Sequence, residues 1–116
     1  MLNTAKIKVE DTIFTANFFD NPTAIEIENL LPLKLTMKEL NNNEKYYNFP
    51  QNFSKNPQFI KQINKGDIML YQDNCLVIFY KDFTTNIQYT PIGKINNVEN
   101  LGIIDNSSDI SVSFII

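Results

Sequence analysis

The chain contains no histidine, no arginine and no tryptophan, one cysteine and three glycines. Each absence removes a chemistry. Without histidine there is no side chain that ordinarily titrates near neutrality, and no imidazole to activate a serine or cysteine nucleophile. Without arginine there is no bidentate fork for phosphates or base edges. The net charge of −3 adds no basic patch, so nucleic acid is not an expected partner. One cysteine cannot close an intrachain disulfide. With neither imidazole nor a thiolate pair, no zinc site is expected. The longest apolar run, "CLVIFY" at 75–80, is far too short to span a bilayer. The start "MLNTAKIKVE" lacks the charged segment and apolar run of a signal peptide. A soluble cytoplasmic protein is the expectation, and a processed exported form fits the same sequence.

What is present points to an ordinary globular core. The 116 residues suit a single domain over 1–116, of which 43% are apolar and nine are phenylalanine. Such a chain buries enough surface to fold without a disulfide or metal staple. Asn, Ile and Lys are abundant along the whole length, which reads as coding bias. The lysines and asparagine runs read as solvated surface.

Hydrophobic alternation with period two dominates, the mark of half-buried strands. Ala5, Ile7 and Val9 share one face, and Phe14, Ala16 and Phe18 another, with Glu10 and Asp11 between them: a first hairpin. "DNPTAIEIENLLP" then reads as a helix of about ten residues. Asn21 is its N-cap, Pro22 its first position, Ala24, Ile27, Leu30 and Leu31 its apolar face, and Pro32 its stop. Glu26 and Glu28 look outward. Leu33, Leu35 and Met37 face inward on a strand whose Lys34, Thr36 and Lys38 face out. A turn and a short aromatic strand around Tyr46 and Tyr47 follow.

Residues 50–66 carry two prolines and no period, which predicts a long ordered loop with one helical turn near Gln58–Gln62. Asp67–Tyr71 and Cys75–Tyr80 are strands joined at "QDN". The second is apolar on both faces and so belongs in the centre of a sheet. Residues 81–88 form a polar loop, and "YTPIGKI" a strand with an edge or bulge at Pro91. "NVENLG" is a short helix ending at Gly102. "DISVSFII" places Ile110, Val112, Phe114 and Ile116 inward. Seven or eight strands with one or two short helices make a mainly β protein. A small closed or partly closed antiparallel barrel removes the exposed edges.

The order of these pieces, with "DNPTA", "LPLKLTM", "NEKYYNFP" and "GDIMLYQDNCLVIFY", resembles the bacterial cyclophilin-like fold proteins along nearly the whole chain. The resemblance implies a small β-barrel related in shape to the cyclophilin prolyl isomerases. It implies little about activity, because such relatives are generally of unknown function. Some occur beside or fused to flavodoxin-like domains, which implies a flavodoxin-type redox partner. True cyclophilins polarise the peptide bond with an arginine. This chain has none, so no catalytic residue carries over.

The chemically interesting side chains divide unevenly. Cys75 opens an apolar strand with no histidine to activate it, so it reads as a buried structural thiol. Asp67, Asp73 and Asp82 fall at separate points of one hairpin, without metal-ligand spacing. The aromatics offer more. Consecutive Tyr46 and Tyr47 point to opposite faces of a strand, so one must face out or into a cleft. Core or barrel-end packing is the first reading of these aromatics, and a recognition cleft between loops 50–66 and 81–89, lined by Tyr46, Tyr47, Tyr71, Tyr80, Phe83 and Tyr89, is the functional one. The expectation is a non-catalytic binding module for a peptide, a protein or a small apolar ligand, with no catalytic residue, no cofactor and no metal. The alternatives are a weak or atypical prolyl isomerase and an accessory to a flavodoxin-type protein.

Overall fold

In the computed structural model, residues 3–115 are described, and the alternating segments pair into a closed antiparallel barrel. The first hairpin joins β1 (Asn3–Val9) and β2 (Thr12–Phe18) in continuous register, with Ala5 opposite Ala16 and Ile7 opposite Phe14. Glu10 takes a positive φ of 53° at the turn. The helix α1 (Pro22–Glu28) begins as expected: the Asn21 side chain accepts the Ala24 N–H at 2.8 Å. It is seven residues long, shorter than the apolar spacing predicts. Leu30 and Leu31 bond back to the Ile27 and Glu28 carbonyls instead, tightening the chain before Pro32. Both leucines still pack on the core.

β3 (Leu33–Leu40) turns at Asn41–Asn43 into β4 (Glu44–Asn48). Asn41 and Asn42 both have φ of 57°, a left-handed conformation that asparagine tolerates well. β6 (Asp67–Tyr71), β7 (Cys75–Phe79) and β9 (Thr90–Ile95) follow, and β10 (Ile110–Ile115) closes the ring. The barrel order is β1-β10-β3-β4-β7-β6-β9-β2, eight strands. Closure leaves no edge strand in the barrel. Pro91 therefore lies within a paired strand, and the register of β9 against β6 shifts between Ile68 and Met69, the bulge that its proline predicts. At Gly93 a Cβ would collide with the Asn17 carbonyl oxygen, so only glycine lets β9 lie this close to β2. A 3-10 helix covers Val98–Ile104, running two residues past Gly102. Ile110, Val112 and Phe114 are buried as expected. Ile116 lies outside the described residues.

The barrel interior is filled by Ile7, Phe14, Phe18, Met37, Leu70 and Phe114, all essentially inaccessible, together with their neighbours. Each such side chain contributes about 1.5–3 kcal/mol. A second apolar cluster lies on the other face of β6 and β7, where Met69, Cys75, Val77 and Phe79 meet Ile63 and Tyr89. This explains why "CLVIFY" is apolar on both faces. The cover over that outer face comes from the segments expected to be open loops. β5 (Gln62–Ile63) pairs with β8 (Phe83–Thr84), and Gln58 bridges Tyr89. Residues 58–62 form no helical turn: Gln58 bridges Tyr89, Gln62 opens β5, and Lys61 between them takes a positive φ of 68°. Extended backbone lets each segment satisfy the other's N–H and C=O groups.

Candidate functional site

Residues 58–63 pair with 83–89, and the shallow hollow between those loops, about 480 Å³, is lined by Lys61, Thr84, Thr85 and Asn86, with none of the expected aromatic residues. Gln58 and Tyr89 exchange backbone hydrogen bonds of 2.9 and 3.2 Å, and Thr85 donates to the Lys61 carbonyl at 2.8 Å. A concavity exists instead beside them, on the outer wall of the barrel. It measures about 370 Å³ and lies between the β3–β4 turn, the β6–β7 turn and the 87–89 segment. Tyr46, Tyr71 and Tyr89 line it. The other three expected residues lie elsewhere. Tyr47 points to the opposite face of β4, packs on the barrel core and meets the Phe49 ring edge-on at 5.0 Å. Tyr80 is buried, its hydroxyl donating to Glu39 Oε1 at 2.7 Å. Phe83 packs against Phe79 in the outer cluster. For Tyr47 and Tyr80 alternation along the chain decides: each follows a residue, Tyr46 or Phe79, that belongs to the outer cluster, and so turns to the inner one.

Two charged residues were hidden from the sequence. Lys45, expected at the surface, is 0% exposed. It faces inward at one end of the barrel and is fully partnered. Its ammonium lies 3.1 Å from Glu39 Oε1 and donates to the carbonyls of Asn106 and Ser108 at 2.7 and 2.6 Å. Glu39 also accepts the Asn42 N–H at 2.7 Å, so its carboxylate is held from several directions. The cluster ties β3, β4 and the loop before β10 together. Burial, then the hydrogen bond to Glu39, raises the Tyr80 phenol above its usual range. One signal pointed here. Glu39 continues the inward phase of Leu33, Leu35 and Met37, and the short asparagine turn sets Lys45 opposite it.

Glu44 is the neighbour of Lys45 and points the other way, into the concavity. It is only 7% exposed. Among the described residues, no hydrogen bond or ion pair reaches its carboxyl. Burial, helped by the charge of Glu39, raises its pKa from 4.5 to about 7. No lysine lines this hollow, and Glu44 is the one charged group among its lining residues. Its charge, after burial itself, helps push Tyr89 up to about 12 and the Cys75 thiol up to about 11. Cys75 is thus protonated at neutral pH and a poor nucleophile. The rim is apolar and open: Leu40 is 43% exposed, Tyr71 37% and Ile87 46%.

The three aspartates of the β6–β7 hairpin do not converge. Asp67 accepts the Asn64 N–H at 2.8 Å and pairs with Lys94 at 3.5 Å. Asp82 accepts the Lys65 N–H at 2.7 Å. Asp73 sits in the β6–β7 turn, its carbonyl accepting the Phe53 N–H at 2.7 Å. Among the described residues, no cluster of three or more acidic, histidine or cysteine side chains could hold a metal. Among the same residues, no helix is long and apolar enough to cross a membrane. Another hollow of about 360 Å³ is lined by exposed Lys8, Glu10, Lys34 and Asp109, already solvated and of both signs.

A family model described as the cyclophilin-like family matches residues 7–115. The chain belongs to the cyclophilin-like family. The solved structure described as McbB in complex with tryptophan superposes with a TM-score of 0.74, at 15% sequence identity. The match covers 96% of this chain and 44% of that one, so the chain spans less than half the length of this neighbour. The likeness is one of fold. No curated protein matches the chain in sequence.

Proposed function

We propose that the protein is a non-catalytic binding module whose ligand sits in the concavity lined by Tyr46, Tyr71 and Tyr89. The observation that carries this reading is the open apolar rim of Leu40, Tyr71 and Ile87 around a hollow of about 370 Å³. Small-molecule sites are concave, mostly apolar and of this size. Tyrosine adds a hydroxyl to a rigid apolar ring, which suits recognition. The McbB structure supports the reading to the extent that a protein of the same fold takes up a small molecule.

The chemistry of the lining supports binding over catalysis. It offers a protonated thiol, phenols and one carboxyl, but no imidazole and no arginine. A prolyl isomerase working through an arginine has no counterpart here, and a protease-coupled isomerisation assay is expected to return the uncatalysed rate. No observation favours a flavodoxin-type partner. The test is a fragment screen on ¹⁵N-labelled protein. Ligands are expected to shift the amide signals of Tyr46, Tyr71 and Tyr89 together. A screen whose binders all perturb other surfaces, or that finds none, sinks the reading.

A further inference from the structure

Lys45 and Glu44 are consecutive buried charges, yet only one has partners. A buried carboxyl without a hydrogen bond is costly whether ionised or neutral. Glu44 carries that cost at the floor of an open hollow, where a ligand could relieve it. The group that relieves it must donate hydrogen bonds, and a positive charge relieves it best. The surroundings favour a cation as well. Tyrosine faces attract ammonium groups electrostatically, and Tyr46, Tyr71 and Tyr89 supply three rings at the same hollow. A bare divalent cation is a poor fit, since one carboxylate falls far short of the six to eight oxygens that Ca²⁺ takes.

We infer that the hollow takes a small primary amine carried on an apolar or aromatic body, its ammonium paired with the Glu44 carboxylate and its body laid against the tyrosines. This rests on the binding reading above and adds the ligand's charge to it. Uptake is then coupled to a proton. The titratable groups around Glu44 are Cys75 from β7, Tyr71 from β6 and Tyr89 ahead of β9 at the hollow, with Glu39 from β3 and Tyr80 beyond β7 acting from the inner side. Cys75, Tyr80 and Tyr89 are raised well above neutrality, and Glu39 is engaged by Lys45. Lys45 itself points through the other face of β4. Glu44 is therefore the group at the hollow that changes charge near pH 7. An ammonium binds the ionised form, so affinity rises with pH until Glu44 is fully ionised, and below its pKa a proton leaves as the ligand enters.

The test titrates the protein with phenethylamine and with its neutral counterpart 2-phenylethanol, followed by amide shifts at the hollow. Phenethylamine is expected to bind about tenfold more tightly at about pH 8 than at about pH 6, with 2-phenylethanol weaker and insensitive to pH. Glu44→Gln is expected to flatten the pH profile and remove the preference for the amine over the alcohol. The pH profile of the unaltered chain stands alone should that variant fold poorly. Equal, pH-independent binding of both probes at the hollow overturns the amine assignment and leaves the binding reading standing. Neither probe shifting Tyr46, Tyr71 or Tyr89 overturns both. Blocked lysine, Nα-acetyl-lysine methylamide, binding more tightly than phenethylamine would assign the hollow to a peptide side chain and overturn the small-amine assignment.

Discussion

Glu44 and Lys45 sit side by side on one strand and face opposite sides of the barrel wall. Both are more than nine-tenths buried, but their surroundings differ completely. Lys45 meets a carboxylate and two backbone carbonyls, each within 3.1 Å. Glu44 meets a tyrosine-lined hollow and no partner. A buried ion offsets its desolvation only when its hydrogen-bonding capacity is met. The inward side is therefore a clamp that completes the fold. The outward side is a deficit that the fold tolerates, and such deficits gather where something binds.

The comparison can be broken most sharply at Lys45. Lys45→Met keeps the apolar stem but strands Glu39 and two carbonyls, and is expected to destabilise the protein by about 3–5 kcal/mol. Urea unfolding measures it, and a loss below about 1 kcal/mol would mean that the cluster is not a clamp.

Glu44 is expected to behave in the opposite sense. Its folded pKa is about 7 against an ordinary 4.5, so the folded state keeps a proton that the unfolded chain has released. Stability contributed by this group falls as pH climbs from 4.5 to 7 and is level above that. Glu44→Gln removes the dependence. The variant is expected to match the parent near pH 5 and exceed it by roughly 2–3 kcal/mol near pH 8, in line with about 1.4 kcal/mol per pKa unit. Thermal melts across that range decide it, and a variant less stable at high pH would show that Glu44 has a favourable partner after all.

Two smaller effects sharpen the contrast. Tyr80→Phe deletes one hydrogen bond to the Glu39 carboxylate and leaves Lys45 in place, for an expected loss of about 1.5 kcal/mol in urea unfolding. Tyr71→Ala trims the rim of the hollow. Its ring meets Tyr89 at 5.9 Å but is 37% exposed, so stability is expected to change by about 1 kcal/mol or less. Phenethylamine binding, measured by the same amide titration, is expected to weaken clearly. An unchanged affinity would exclude the rim from recognition.

Much of the barrel was legible in the chain. Strict alternation at Ala5–Val9, Phe14–Phe18 and Ile110–Phe114 names the inward faces, and Asn21–Pro22 marks where the helix begins. The double-sided "CLVIFY" announces a strand covered on both sides, and the outer cluster supplies the cover. The 50–66 and 81–89 segments were not legible as paired strands. β5 and β8 are two residues each, too short to show a period. The candidate site was legible only in part. Tyrosines 46, 71 and 89 stood out by type, but Tyr47, Tyr80 and Phe83 look the same in sequence and lie on other surfaces.

By itself, then, the sequence determined the class of the fold and the chemistry the protein lacks, because alternation and composition are local properties. Absent histidine and arginine stay absent in any conformation. Which residues share a hollow, and which buried charge finds a partner, only the tertiary structure decided. Glu44 and Lys45 are one residue apart in sequence, and their different fates follow from what the rest of the chain brings to each side of β4. Asn106 and Ser108 arrive on one side from 61 and 63 residues away and Tyr71 and Tyr89 on the other, through barrel closure and not through any local pattern.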